Sequence, residues 1–266
     1  MIENFTFKDR YTIADLVEIV AILRAPGGCP WDIEQTHESI RRDFIEETYE
    51  AIEAIDKGSR EMLLEELGDV LMQVVFHAQI EKEKNSFDFD DVADGICKKL
   101  IVRHPHVFGD VKAETSAEVL KNWDAIKMDE KKQKSVTESI LSVPRQFPAL
   151  MRAEKIQKKA AKVGFDWPDV SGALDKIGEE TEEVRAAIAS GDEKKALDEL
   201  GDLLFSVVNV CRFAHVDAEE ALTHTSDKFT DRFSYVEQKA AESGTPMAEL
   251  PLETLDGYWN EAKTRE

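Results

Sequence analysis

The chain has 266 residues, of which 42% are hydrophobic and 33% charged, a composition typical of a folded globular protein and not of a disordered one. Acidic residues (55) outnumber basic ones (34), and the net charge of −21 argues against binding to the phosphate backbone of nucleic acids. We expect no membrane segment and no secretory signal, because no apolar run is long enough. The three scattered cysteines favour reduced thiols in a cytoplasmic protein.

The first prominent element is a pair of helices on either side of Lys57-Gly58-Ser59. Apolar residues recur at intervals of three and four before and after this segment, as they do along helices that bury one face. Gly58 is suited to end the first helix, and Ser59 is suited to cap the second. We therefore predict an antiparallel helical hairpin that reverses at Gly58.

Acidic residues occupy matched positions on this predicted hairpin. Glu50 precedes Gly58 by eight residues and Glu66 follows it by eight, so both lie about 12 Å from the turn. Glu47 and Asp69 are each eleven residues from Gly58 and form a second level. On each helix the acids are three residues apart and share one face. Four carboxylates in one small volume repel by several kcal/mol per pair at about 4 Å, which predicts a bound cation.

The same pattern occurs a second time, 133 residues later. Glu46-Glu47-Thr48-Tyr49-Glu50 corresponds to Glu179-Glu180-Thr181-Glu182-Glu183, and Glu66-Leu67-Gly68-Asp69 corresponds without a gap to Glu199-Leu200-Gly201-Asp202. Gly191 takes the place of Gly58, so that Glu183 lies opposite Glu199 and Glu180 opposite Asp202. Such a repeat indicates a duplicated domain.

The helix breakers Pro144 and Pro148 follow a polar segment and mark the seam between the copies. We predict an all-α chain with an N-terminal helical-bundle domain at 1–130, a linker at 131–148 and a C-terminal domain at 149–266. Each domain is expected to be built on its antiparallel helix hairpin. An acidic helix face exposed to water is the alternative for one such motif, but the matched heights and the repeat favour a cation site.

The expected cation is hard. All ligands in the clusters are oxygen atoms, which suits Mg²⁺, with Mn²⁺ as a substitute, and no Glu-x-x-His motif of a di-iron bundle occurs at these levels. The predicted ligands are Glu47, Glu50, Glu66 and Asp69 in the first half and Glu180, Glu183, Glu199 and Asp202 in the second. Mg²⁺ in proteins commonly meets substrate phosphates, so a phosphate ester or anhydride is the natural substrate class.

A phosphate site also needs basic groups. Lys228 and Arg232 are four residues apart on one predicted helix, and Lys99 and Arg103 have the same spacing in the first half. Surface decoration is the alternative for each pair. Trp123 and Trp259 end the two copies (as Trp-x3-Lys), where they are either core residues or platforms for a base. His104, His106, His77 and His215 are interpreted as structural, core or surface residues.

Taken together, these residues resemble the MazG nucleotide pyrophosphohydrolases, all-α hydrolases related to the dimeric dUTPases. The resemblance rests on the doubled EExxE and ExxD motifs. It also rests on the stretches GGCPWD, ELGDVLMQVVFHAQ, RHPHVFGDV, PALMRAEKIQKKAAKVGFDWPD and ELGDLLFSVVNV, which are similar to the tandem-domain bacterial form and together cover nearly the whole chain.

The resemblance implies Mg²⁺-dependent hydrolysis of nucleoside triphosphates to monophosphate and pyrophosphate, broad base tolerance and a homodimer. It also implies that Lys176, Lys228, Arg232 and Trp259 contact the nucleotide, with Glu179 supporting the metal ligands. The first half would use Glu47, Glu50, Glu66 and Asp69 similarly, and the repeat makes Lys99, Arg103 and Trp123 its predicted substrate-binding residues. The hypothesis for the mechanism is that a glutamate (Glu179 or Glu180, or Glu46 or Glu47) orients a water for attack on the α-phosphorus.

The halves differ just before the acids. The second half has Lys176 where the first, by the same offset, has Asp43, a poor neighbour for a triphosphate. We therefore expect residues 149–266 to carry most of the activity. A nucleotide-sensing or metal-sensing regulatory protein with little turnover, and a purely structural helical scaffold, remain the alternative functions.

Overall fold

The computed structural model describes residues 5–113, 115–116, 118–119, 122–123, 126 and 135–265. In this part of the chain every regular element is helical and no strand occurs, which confirms the predicted all-α class. The chain divides into two compact units, Met1–Glu130 and Lys131–Glu266. None of the helices in the described residues is both long and apolar enough to cross a membrane.

The first unit is organised around one long helix. Its described helices are α1 (Ile13–Arg24), α2 (Pro30–Glu34), α3 (Arg41–Asp56), α4 (Arg60–Glu83), α5 (Phe89–Arg103) and α6 (Pro105–Phe108). Helices α1, α3 and α5 each pack against α4. The core of this unit is formed by the buried side chains of Val20, Ile40, Val75, Phe76 and Ile80. Burial of these apolar groups holds α4 against its neighbours and fixes the face that it presents to α3.

The turn between α3 and α4 contains the predicted glycine at the end of one helix and the predicted serine cap of the next. Gly58 has a φ of +62°, a left-handed conformation that costs glycine little. The Ser59 side chain accepts a hydrogen bond from the Met62 backbone N–H at 3.3 Å, which caps the first turn of α4. The two helices therefore run antiparallel from Gly58.

The second unit contains the longer of the two hairpins. Its described helices are α7 (Val136–Leu141), α8 (Ala149–Ala161), α9 (Val170–Ser190), α10 (Glu193–Ala214), α11 (Ala218–Glu242) and α12 (Leu252–Lys263), with a 3₁₀ turn at Met247–Glu249. Helix α9 packs along α10, α8 packs against α7, α10 and α11, and α11 packs against α12. Helix α7 lies in the segment predicted as the linker.

Gly191 reverses the chain between α9 and α10 with a φ of +71°. The Asp192 carboxylate accepts hydrogen bonds from the backbone N–H groups of Lys194 and Lys195, both at 3.1 Å, and so caps α10. Small apolar residues such as Ala187 and Val208 are buried on the two helices. Their small size lets α9 and α10 approach closely, which brings the acidic residues of both helices together.

Candidate functional site

The first carboxylate cluster lies between α3 and α4. One carboxylate oxygen each from Glu47, Glu66 and Asp69 lies within 4.8 Å of the other two, and the three side chains are half-buried. Glu50 is exposed and lies close enough to Glu66 for its charge to raise the pKa of that side chain. The structure thus brings together the four acids that the sequence predicts as ligands in the first half.

Burial and mutual repulsion change the protonation of this cluster. Burial raises the pKa of Glu47, and the charge of Asp69 is the next largest cause. Burial also raises the pKa of Glu66, followed by the charge of Glu50. The strongest charged neighbour of each glutamate is therefore the acid predicted at the same height from Gly58. Carboxylates held together in this way take up a proton or another cation to relieve their repulsion.

The second cluster lies between α9 and α10 and repeats this arrangement. Carboxylate oxygens of Glu180, Glu199 and Asp202 lie within 4.8 Å of one another. Burial raises the pKa of Glu183, followed by the charge of Glu199 and a hydrogen bond with Glu180. The four predicted ligands of the second half are thus also neighbours. Their burial is uneven, because Glu180 is buried, Glu199 is half-buried and Asp202 and Glu183 are exposed.

Glu180 is the most constrained of these acids. Only 3% of the residue is exposed, and its Oε1 is 2.6 Å from Nζ of Lys176. Its Oε2 is buried and accepts no hydrogen bond from any described residue. Burial of a charged oxygen without a partner is costly, so this atom is suited to a bound cation.

The donor set determines which cation fits these clusters. Within the described part of the chain, each consists of carboxylate oxygens from two facing helices, without the cysteine or histidine ligands that are typical of zinc. Oxygen-only donor sets are the kind that Mg²⁺ and Mn²⁺ prefer, and the unpaired Oε2 of Glu180 supplies an open ligand atom. The residues present therefore fit a hard divalent ion.

Three of the four acids predicted to orient a water, namely Glu46, Glu179 and Glu180, have basic partners. Glu46 is exposed, and its Oε1 accepts a hydrogen bond from Nε of Arg42 at 2.8 Å. Glu179 is also exposed, and its Oε1 accepts one from Nζ of Lys176 at 2.8 Å. Hydrogen bonds to Glu179 and then to Glu180 raise the pKa of Lys176. Lys176 thus forms ion pairs with Glu180 of the second cluster and with the neighbouring Glu179.

Three of the four predicted basic and aromatic residues of the second unit, Lys228, Arg232 and Trp259, lie on α11 and α12. Lys228 and Arg232 are half-buried and one turn apart on α11. The guanidinium carbon of Arg232 lies 5.7 Å from the ring centroid of Trp259, and the Phe229 ring lies 5.1 Å from the same tryptophan. A cation beside two aromatic rings can bind a phosphate and a planar base at adjacent positions.

In the first unit the corresponding residues are arranged differently. Lys99 is exposed and Arg103 is half-buried at the end of α5. Trp123 is half-buried and makes an edge-to-face contact with His104, with ring centroids 5.2 Å apart. The side chain of Trp123 therefore packs on a histidine of the RHPHVF segment, where that of Trp259 packs beside an arginine.

One polar cluster of the first unit is not predicted from the sequence. Nδ1 of His37 is 2.7 Å from Nδ1 of His77, and Nε2 of His37 is 2.7 Å from Oε1 of Glu81. Lys84 also donates to Glu81, and the Phe44 ring lies 5.7 Å from that of His77. The spacing of His77 and Glu81, one turn apart, was a signal for this cluster. The third member, His37, lies in the loop before α3, and helical periodicity does not predict its position.

Comparison with known proteins places both hairpins in one family. A family model described as the MazG nucleotide pyrophosphohydrolase domain matches residues 35–108 and 171–236. Each match includes one complete carboxylate cluster. The chain belongs to the MazG family.

Two relatives are similar along almost the whole chain. The nucleoside triphosphate pyrophosphohydrolase/pyrophosphatase MazG of Thermotoga maritima is 47% identical over 249 residues, which cover 94% of each chain. The nucleoside triphosphate pyrophosphohydrolase of Escherichia coli K12 is 46% identical over 254 residues, which cover 94% of this chain and 97% of that protein. The predicted resemblance and the tandem repeat are thereby confirmed, and as a MazG protein the chain is a hydrolase of phosphoric anhydrides.

Proposed function

We propose that this MazG protein hydrolyses the α–β phosphoanhydride of nucleoside and deoxynucleoside triphosphates, releasing a monophosphate and pyrophosphate with the help of Mg²⁺. The observation that carries this proposal is the buried Oε2 of Glu180, an unpaired acceptor in a cluster with Glu199 and Asp202. The names of the two relatives, both nucleoside triphosphate pyrophosphohydrolases, support the same reaction.

The metal ligands proposed are those of the two clusters. Glu180, Glu183, Glu199 and Asp202 would hold Mg²⁺, or Mn²⁺ in its place, in the second unit. When bound, the ion would polarise phosphoryl oxygens and lower the pKa of a water. Glu47, Glu50, Glu66 and Asp69 have the same role in the first unit.

The remaining steps belong to side chains of the protein. Glu179 or Glu180 in the second unit, and Glu46 or Glu47 in the first, accept a hydrogen bond from the attacking water and align it with the α-phosphorus. Lys228 and Arg232 hold the oxygens of the departing pyrophosphate, and Lys176 approaches the triphosphate from α9. Lys99 and Arg103 have the corresponding task in the first unit.

Broad base tolerance follows from the way in which a base would be held. Trp259, with Phe229 beside it, offers a flat surface, and stacking on such a surface is tolerant because every base has a π-face. Trp123 is the counterpart in the first unit, where its contact with His104 restricts the ring. ATP is therefore one of several substrates that we expect, and control or cleaning of the nucleotide pool in the cytoplasm is the expected role.

The decisive experiment is a panel of nucleoside and deoxynucleoside triphosphates with Mg²⁺, scored for pyrophosphate against orthophosphate. Pyrophosphate and monophosphate should appear in equal amounts from several bases, and Glu183→Gln should reduce the rate even with Mg²⁺ at saturation. Orthophosphate as the main product would contradict cleavage between the α- and β-phosphorus. Binding without turnover would favour the regulatory alternative.

The two units are proposed to contribute unequally, with residues 149–266 carrying most of the turnover. Lys176 is the observation in favour, because it places a cation beside the second cluster, whereas Asp43 places an acid near the first. Glu183→Gln should therefore lower the rate more than Glu50→Gln does. Equal losses in the two variants would contradict this division.

The protein is also proposed to act as a homodimer, without nucleic acid or membrane as a partner. Leu64, Leu67 and Leu71 are exposed along one face of α4, and Leu197, Leu200 and Leu204 repeat this stripe on α10. Exposed apolar stripes of this kind mark surfaces that are covered by another protein chain. A second copy of the same chain is the occupant that the family resemblance implies.

A further inference from the structure

The two carboxylate clusters differ in one basic residue. In the second cluster, Nζ of Lys176 lies 2.6 Å from the buried Glu180 and 2.8 Å from the exposed Glu179. The side chain of Lys176 is 36% exposed, so it reaches the buried carboxylate from the solvent side of α9. Glu180 is thus half-neutralised: one oxygen is paired with the lysine, and the other accepts no hydrogen bond from the described residues.

Among the residues that the structure describes, the first cluster has no such lysine. The position that corresponds to Lys176 is Asp43, one turn before Glu47 on α3, and its charge adds to the repulsion that Glu47 experiences. The nearby Arg42 pairs with the exposed Glu46. Within the described residues, Glu47 forms no salt bridge. The two sites therefore have the same carboxylates but opposite charges at one adjacent position.

A divalent ion on the open Oε2 of Glu180 and an ammonium group on its Oε1 would lie close enough to repel each other, and the lysine already neutralises part of the charge that the ion needs. The ammonium group is a compact charge on a flexible stem, so it can leave Glu180 without a change in the backbone of α9. When Lys176 leaves Glu180, a charge-assisted hydrogen bond is lost, and this loss reduces the favourable free energy of metal binding. A phosphate that receives the released lysine would return part of that free energy.

We propose that Lys176 is an internal cation that competes with a divalent metal ion for Glu180, so that the second cluster gains metal by exchanging its lysine, whereas the first cluster takes metal directly. This inference rests on the proposed function only in treating both clusters as metal sites. Lys176 then couples the two ligands of the second cluster. The metal displaces Lys176 from Glu180, and the phosphates of the substrate bind the released lysine, so metal and substrate bind cooperatively.

The test uses the intact chain and Mn²⁺ as the probe, with binding followed by electron paramagnetic resonance in the absence of nucleotide. Glu66→Gln weakens the first cluster, so that Mn²⁺ reports on the second. In that background, Lys176→Met should increase the affinity for Mn²⁺ about tenfold, the equivalent of one charge-assisted hydrogen bond. Lys176→Arg keeps the competing charge and should retain the weak binding. Lys194→Met removes the same charge from an exposed position on α10 and should leave the affinity unchanged.

The reciprocal experiment transfers the lysine. In a Glu183→Gln background, which weakens the second cluster, Asp43→Lys should lower the affinity of the first cluster for Mn²⁺ by about tenfold. In the Glu66→Gln background, inorganic pyrophosphate should increase Mn²⁺ binding to the second cluster when Lys176 is present, and this increase should be lost in Lys176→Met. Circular dichroism of every variant verifies that the helices remain folded.

The outcomes separate this inference from the proposed function. Unchanged or weaker Mn²⁺ binding in Lys176→Met, together with clear binding in its parent, overturns the role of the lysine and leaves the metal site intact. Failure of the chain and of all its variants to bind Mn²⁺, with or without pyrophosphate, overturns both the inference and the metal-dependent function. A tenfold gain in Lys176→Met with no gain in Lys194→Met supports the exchange.

Discussion

At the scale of single residues, equivalent acids of the two units have unequal surroundings. Glu180 is buried to 3% exposure, whereas its counterpart Glu47 is half-buried. Glu180 can be this deeply buried because Lys176 compensates one of its oxygens. The charge of the residue one turn earlier, lysine or aspartate, thus accounts for the deeper burial of Glu180.

The first prediction concerns Glu180. Replacement by glutamine keeps the shape but removes the charge, so we expect the rate of pyrophosphate release to fall about a hundredfold, as is typical when one charge-stabilising group is lost from an active site. Glu182→Gln, an exposed position on the same helix, is the matched control and should retain the rate. Steady-state kinetics at saturating Mg²⁺ would measure both, and a rate in Glu180→Gln equal to that of the control would refute the assignment.

The histidine pair gives a prediction about pH. Burial lowers the pKa of His77 from 6.5, followed by the charge of His37. Hydrogen bonds to Lys84 and then His37 lower the pKa of Glu81 to about 2, so Glu81 stays ionised near neutrality. A histidine whose pKa is lower in the folded state takes up its proton more readily when unfolded. The stability of the first unit should therefore be full above pH 6.5 and decline as the pH falls below it.

His77→Phe tests this dependence. Phenylalanine keeps an aromatic ring beside Phe44 but cannot take up a proton, so the loss of stability just below pH 6.5 should become smaller. His224→Gln, at an exposed position on α11, serves as the control and should leave the dependence as it is. Thermal unfolding between pH 5 and pH 8, roughly the range in which histidine titrates, provides the measurement. An identical pH profile for His77→Phe and the unsubstituted chain would contradict the role of His77.

At the scale of helices, the turns determine which acids face each other. Gly191 has a φ of +71°, and an added Cβ would meet no atom within 4 Å, so Gly191→Ala introduces backbone strain without a clash. We expect a loss of about 1 kcal/mol in the unfolding free energy of the second unit. Gly201, in the interior of α10, also has open space around it but lacks a positive φ. Gly201→Ala should therefore stabilise the same unit by about 0.5–1 kcal/mol.

Urea-induced unfolding followed by circular dichroism would compare these two alanine variants directly. Opposite signs are the expected result, because the same methyl group is added in a left-handed turn and in a regular helix. Destabilisation by Gly201→Ala would show that its open surface is covered in the assembled protein, which would connect Gly201 to the leucine stripe of α10.

The same elements indicate what could be predicted from the sequence. Counting from Gly58 and Gly191 correctly paired Glu47 with Asp69 and Glu183 with Glu199, because the rise of a helix is fixed and the turns are short. The ion pair of Lys176 with Glu180 was not predicted, although both residues were singled out, because it depends on a side-chain conformation. The contact of His37 with His77 was missed because it joins a loop to a helix across 40 residues.

At the scale of the whole molecule, acidic charge and exposed apolar surface occur on the same helices. The net charge of −21 keeps copies of the chain apart at long range, yet the leucine stripe on α10 and its repeat on α4 are exposed. Salt shortens the range of the repulsion to about 8 Å at physiological ionic strength, whereas the burial of leucine is not weakened by salt. Association of copies through these stripes should therefore become tighter as ionic strength increases.

Substitution in the stripe tests this association. Leu200 is 44% exposed in the middle of the α10 stripe, and a glutamate there would place a charge in the buried surface of a dimer. We expect the unsubstituted chain to have twice its 30.1 kDa mass by light scattering, and Leu200→Glu to shift toward the monomer with a stronger dependence on concentration. Leu252→Glu is the control, because Leu252 is 73% exposed in the first turn of α12, where an acid is favourable. A monomeric unsubstituted chain, or a Leu200→Glu dimer as stable as that of Leu252→Glu, would show that the stripe is not the surface through which two copies associate.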